Sequence, residues 1–182
     1  NVTGVQTCAL PISLKEQGIP YFANDLKSMR TFQGKQMWAL FGEYDMPYDL
    51  DRNPYKIPSL AESCEKAISL LNDPEGEGFF LMVEGSKVDW AAHANDPVGI
   101  ASEMLAFDKA VGVALDFARR DGNTAIVIMP DHGNSGLSIG LQRLRHADKQ
   151  GPEVLFGQLT DIKRTAAGLA KLLNEAPNDQ AR

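Results

Sequence analysis

The sequence predicts an α/β fold: part of an open, mainly parallel sheet with helices on both faces, truncated at both ends. Three observations predict it. "GFFLMVEG", residues 78–85, is a near-continuous apolar run, the pattern of a strand covered on both faces of a parallel sheet. "TAIVIM", residues 124–129, is a second such run. Between them Pro97 opens a long helix in which Ile100, Met104, Phe107, Val111, Ala114 and Ala118 recur at three- and four-residue steps. Strand, crossover helix and strand make a βαβ unit, so the two strands should run parallel.

The remaining elements follow from local signals. "IPYFAN" reads as a short strand, "DLKSMRTF" as a short helix with Asn24 as its cap, and "KQMWALF" as another strand. "GEYDMPYDLDRNPYKIP" lacks periodicity and reads as an ordered loop. Ser59 and Glu62 form a capping-box pattern opening the helix "SLAESCEKAISLLN", which Pro74, Gly76 and Gly78 end. Asp121-Gly122-Asn123 turns the chain before the second apolar run. Residues 141–159 read as loop with a helical turn, and "TDIKRTAAGLAKLLNEA" as a last helix presenting Ile162, Ala166, Leu169 and Leu173 on one face.

Composition excludes several functions. The chain has 182 residues, 43% hydrophobic and 23% charged, enough for one domain with a real core. A formal charge of -6 argues against a nucleic-acid or polybasic membrane surface. No apolar run approaches the roughly 20 residues a membrane helix needs. Cys8 and Cys64 fit no metal motif. Val2 to Ile12, "VTGVQTCALPI", resembles the translation of a sequencing-adapter oligonucleotide. Residues 1–13 are therefore expected to be a library artefact on a metagenomic gene fragment, and are excluded from fold reasoning. A chain closing on a helix, with no later strand, agrees with truncation at the back.

In an open parallel sheet, functional groups gather at the carboxyl ends of the strands. The first apolar run ends at Glu84, followed by Asp89 and His93; the second ends at Asp131 and His132. One βαβ unit would bring all five to the same sheet edge. Crowded carboxylates raise one another's pKa, and divalent cations resolve that conflict. Asp89 and His93 are four apart and share a face if "DWAAH" is helical, so they can chelate one ion. Mixed imidazole and carboxylate donors suit zinc, whereas Glu84 offers oxygen alone and suits Mg²⁺. Gly133 and Gly136 would let a ligand approach. Structural alternatives stand beside each reading. Asp89 and His93 could be a helix-face hydrogen-bonded pair, Asp131-His132 an ordinary turn, and Glu84 a helix cap. Trp90 could shield the site or pack on the sheet, and His146 reads as a solvated loop residue.

"FFLMVEGSKVDWAAHAND" and "NTAIVIMPDHGNSG" resemble the alkaline phosphatase family, as does the upstream "MPYDLDRNPYKIPSLAE". The resemblance implies a metal-dependent phosphomonoesterase, homodimeric and periplasmic or extracellular, with residues 14–182 part of its catalytic domain. Residues 141–182 would then begin an insertion or peripheral helical segment. It implies Glu84 as the Mg²⁺ ligand, Asp89 and His93 as ligands of a first zinc, and Asp131 and His132 as ligands of a second. The implied chemistry is serine attack on a phosphate monoester, through a phosphoserine intermediate. No serine here has the family's Asp-Ser-Ala context, nothing matches its phosphate-binding arginine, and "RHADK" around His146 does not match its third zinc-ligand histidine. The fragment alone is therefore expected to be inactive. The alternatives are a cofactor-independent phosphoglycerate mutase or phosphopentomutase-like enzyme, which usually takes manganese, and a non-catalytic metal-binding domain.

Overall fold

The only described sheet is a parallel pair, β1 (Tyr21–Ala23) and β2 (Trp38–Leu40), in register Tyr21 to Trp38. The structure, a computed structural model, describes residues 13–42, 44–138 and 153–176. Helix α1 (Leu26–Thr31) crosses between the strands, so a βαβ unit forms at residues 21–40. Asp25, not Asn24, caps α1: its Oδ1 accepts from the Ser28 N–H at 3.0 Å. Asn24 is drawn away because its Oδ1 accepts from the Gly42 N–H at 2.8 Å, with Asn24 itself at φ 52°. Leu26, Met29 and Phe41 form the core under this unit, with Phe22, Met37, Ala39, Met46 and Ile57 against it.

The chain divides into two compact units. The first takes the residues through Pro47, then Arg52–Glu84 and Phe107–Ile126. Its second core lies along α2 (Leu60–Leu71), where Cys64 and Ile68 meet Ala110 of α4 (Pro97–Asp121). Ser59 caps α2, its Oγ accepting from the Glu62 N–H at 3.1 Å. Gly122, at φ 74°, closes α4 by donating its N–H to Ala118 O, a left-handed position that favours glycine.

Phe79, Leu81 and Val83 pack into this core, while Phe80 and Met82 between them are 89% and 76% exposed. That is the period of two of a pleated strand. Among the described residues neither 78–85 nor 124–129 forms a ladder, and Phe80, Met82, Val127 and Met129 are exposed where coverage was expected. A strand is a property of a pair, and an apolar run without a neighbour in register stays extended chain. The helix prediction needs a one-residue shift. Along α4 the buried stripe is Gly99, Glu103, Ala106 and Ala110, whereas Met104 of the predicted stripe is 48% exposed. Further along the helix Val113, Ala114 and Phe117 pack against the core beside Ala110, while Met104 and Leu105 remain outside.

Arg30 of α1 makes a two-pronged ion pair with Glu62 of α2, its second nitrogen 3.1 Å from Oε2. The guanidinium holds the Glu62 carboxyl below the usual carboxylate range. A depressed folded pKa gives stability that is present above the unfolded value and lost as pH falls through the folded one. Glu62→Gln should therefore cost stability at pH 7, with the deficit closing on acidification. Both side chains are partly exposed, so the cost should be about 0.5–1 kcal/mol. Urea unfolding at pH 7 and pH 3 checks this, and a deficit that is the same at both would refute it.

The second unit takes Tyr48–Asp51, Gly85–Ala106 and the chain from Val127 onward. It holds α3 (Ser86–His93), the first part of α4, the short α5 (Glu153–Phe156) and α6 (Ala166–Glu175). The last helix starts later than the sequence suggests, at Thr165, whose side chain accepts from the Gly168 N–H. Ile162, Leu169 and Leu173 of its predicted apolar face are exposed. His146 lies outside the described residues, as do Cys8 and almost all of the segment 1–13.

Candidate metal centre

Helix α3 begins just after Gly85, and Ala91 and Ala92 bury one face. Asp89 lies in the first turn, where a carboxylate suits the helix dipole, and His93 in the last, where a cationic imidazole would. The four-residue step places them on one face, as the sequence predicts. His93 Nε2 is 3.5 Å from Asp89 Oδ2. Gly85 has no side-chain cap, so Glu84 does not act as cap to α3; it is an exposed residue at the end of the first apolar run.

After the second run, Asp131 and His132 also pair, with His132 Nε2 3.4 Å from Asp131 Oδ2. The Asp131 Oδ1 accepts the His132 N–H at 3.0 Å. Asn134 then reaches α3. Its Nδ2 donates to the Asp89 carboxylate Oδ1, and lies 3.2 Å from the Asp89 carbonyl oxygen. Ser135 adds a second tie, its Oγ donating to Asn95 Oδ1 at 2.8 Å. Neither residue was singled out as functional from the sequence. The signal was an amide two positions after His132 in "DHGN", beside a cluster of carboxylates.

Trp90 follows Asp89 on α3. It is about half exposed, with the Lys87 ammonium 3.6 Å from its ring centroid and 5.2 Å from that of Tyr48. A Cβ at Gly133 or Gly136 would meet open space, so no close approach among the described residues requires those glycines.

Among the described residues, no three His, Cys, Asp or Glu side chains converge as a complete cation site. The donors come instead as two pairs, each one carboxylate and one imidazole. That chemistry fits zinc, and each pair supplies half of the four ligands a tetrahedral ion takes.

These features define an α/β protein carrying paired imidazole–carboxylate donors. The family model for alkaline phosphatase matches residues 8–174, and the chain belongs to the alkaline phosphatase family. It is 38% identical over 154 residues to alkaline phosphatase 3 of Bacillus subtilis (strain 168), covering 81% of this chain and 33% of that protein. Streptomycin-6-phosphate phosphatase of Streptomyces griseus is 44% identical over 93 residues, covering 46% of this chain and 21% of that protein. The crystal structure of a cold-active alkaline phosphatase from the psychrophile Shewanella sp. superposes with a TM-score of 0.76 at 27% identity, covering 95% of this chain and 41% of that one. The α/β fold is thereby established. The chain spans about a third of the length of alkaline phosphatases 3 and 4 of Bacillus subtilis.

Proposed function

We propose that this chain is part of a metal-dependent phosphate monoester hydrolase that works through a phosphoserine intermediate. The two Asp–His pairs carry the reading. They stand at the motif positions that resemble the family's zinc ligands, and α3 and the loop that bear them are tied together by Asn134 and Ser135. Asp89 and His93 would hold one zinc ion, Asp131 and His132 a second, and Glu84 a Mg²⁺ ion. When bound, such ions supply charge neutralisation at a transferring phosphoryl group.

The chain's own residues contribute donors open to solvent and phosphate, from partly exposed Asp89 to largely exposed Asp131. Helix α3 fixes Asp89 and His93 at one spacing, and the turn at Asp131 fixes the other pair. The nucleophilic serine and the phosphate-gripping arginine belong to sequence that this chain does not carry, so catalysis needs the longer protein. That protein would act on small phosphate monoesters as a homodimer, in the periplasm or outside the cell. The match to the alkaline phosphatase family favours this over a phosphomutase.

Two measurements test the proposal. The purified 182-residue chain should not hydrolyse p-nitrophenyl phosphate with zinc and magnesium supplied, and sustained turnover would refute the missing nucleophile. In the complete protein, Asp89→Ala and Asp131→Ala should each lower bound zinc by about one equivalent, as expected when a ligand is removed from a four-coordinate site. Unchanged stoichiometry by elemental analysis would remove the ligand assignment and leave a non-catalytic domain.

A further inference from the structure

We infer that Asp96 is a positioning residue for His93: it seals the end of α3, and through it α6 helps to fix where the imidazole meets a metal ion, an inference that rests on the ligand reading above. Helix α3 has eight residues and no side-chain cap at its start. Isolated helices below about 12 residues are marginal in water, so α3 depends on what holds its ends. His93 stands in its last turn, and the hold on that turn is Asp96.

The backbone of Asp96 closes α3. Its N–H donates to Ala91 O at 3.0 Å, and the Asn95 N–H donates to Ala92 O at 3.0 Å. These are the paired bonds with which helices end around a left-handed residue. Asn95 is that residue, at φ 50°, a conformation that asparagine tolerates better than most side chains. Its Oδ1 also accepts the Ser135 hydroxyl at 2.8 Å.

The side chain of Asp96 serves two other helices. Its Oδ1 accepts the Val98 and Gly99 N–H groups at 3.0 Å each and so starts α4. Its Oδ2 accepts the N–H of Ala166, the first residue of α6, at 2.8 Å. A Cβ at Gly99 would lie 3.1 Å from the Ala91 Cβ and 3.2 Å from Asp96 Oδ2, so glycine lets α4 begin close against both. With one oxygen engaged, the carboxylate could still swing about that bond. With both engaged its plane is set, and with it the peptide that closes α3. Helix α6 carries no ligand and lies in the segment expected to be peripheral, yet it bonds to a residue three positions past His93.

Ala166→Pro isolates this tie. Proline is well tolerated at the first position of a helix, and Thr165 already has the extended backbone that precedes a proline, at φ -72° and ψ 167°. The variant removes the proton that Asp96 Oδ2 accepts and leaves α6 in place. Asp96→Asn is the second variant, since its single carbonyl oxygen can serve α4 or α6 but not both. The experiment is a zinc titration of the 182-residue chain followed by NMR of the imidazole resonances, which reads His93 and His132 separately. In the parent, both should respond. Each variant should weaken the response at His93 by roughly tenfold, the low end of the cost of losing a group that orients a ligand, and change that at His132 far less. A general loosening of the fold would move both histidines together, so an equal loss at both overturns the inference. A parent that responds, with His93 unchanged in both variants, overturns the inference alone. A parent whose His93 ignores zinc overturns the ligand reading and this inference with it.

Discussion

Asp51→Ala should destabilise the chain by about 3 kcal/mol, because hydrogen bonds to a charged group contribute about 1.5–3 kcal/mol each and two are lost here. Asp51 Oδ1 accepts the Thr165 N–H at 3.2 Å, and Oδ2 accepts the Thr165 hydroxyl. Thr165 is completely buried, so alanine at 51 would strand its hydroxyl and amide proton away from water. Beside it, Asp96 Oδ2 accepts the Ala166 N–H at 2.8 Å, and its Oδ1 accepts from Val98 and Gly99. Two carboxylates thus anchor the start of α6, where the helix dipole also favours negative charge. Gly168 supplies a second test. A Cβ there would clash with the Asp51 carboxylate. Glycine to alanine within a helix ordinarily stabilises by about 1 kcal/mol; Gly168→Ala should destabilise instead, because it evicts the carboxylate. Urea unfolding of both variants checks this, and a cost below about 0.5 kcal/mol for Asp51→Ala would show that Thr165 finds other partners.

That anchor could not be read from the sequence. Asp51 and Thr165 are 114 residues apart, and no local pattern joins an aspartate in a 3₁₀ turn to a threonine cap. What was legible was local. The Ser59 cap, the proline that opens α4, the turn at Gly122 and the shared face of Asp89 and His93 are each set by residues within one or two turns. The α1 cap shows where this fails. Asn24 and Asp25 are both good caps, and the choice between them is made by the Gly42 amide, which claims Asn24. Hydrophobicity alone also misplaced the buried side of α4, since Ala106 and Ala110 face the core while Met104 and Leu105 do not. The apolar runs at 78–85 and 124–129 showed which segments extend, but their ladders depend on partners that no single strand specifies. At the candidate metal centre, the closeness of each Asp to its His was legible from their spacing. The Asn134 bridge was not, because it depends on how the loop meets the helix.

Glu103→Gln should make the chain more stable at neutral pH, and the gain should disappear on acidification. Glu103 is 9% exposed on α4, and its Oε1 accepts the Asp49 N–H. Burial pushes its carboxyl above the ordinary glutamate value, the Asp49 amide opposes that shift, and the charges of Asp49 and Asp51 add to it, with Lys87 opposing them. A carboxyl whose folded pKa is raised binds its proton more tightly in the folded state. Its stabilising contribution is therefore complete below the unfolded value near 4.5, and is lost as pH rises through the folded one. Glutamine keeps an oxygen for the Asp49 N–H, never ionises, and brings a donor to a place where two carboxylates concentrate negative charge. The variant avoids the loss that the parent suffers above pH 4.5, so the difference between them should open from that pH upward. Glu103→Leu separates charge from hydrogen bonding: it also cannot ionise, but it abandons the Asp49 amide and should lose about 1–3 kcal/mol relative to glutamine. Urea unfolding of the parent and both variants between pH 4.5 and 8 gives the comparison. A glutamine variant that is less stable than the parent at pH 7, or offset by the same amount at every pH, would mean that Glu103 is ionised and satisfied in the folded chain.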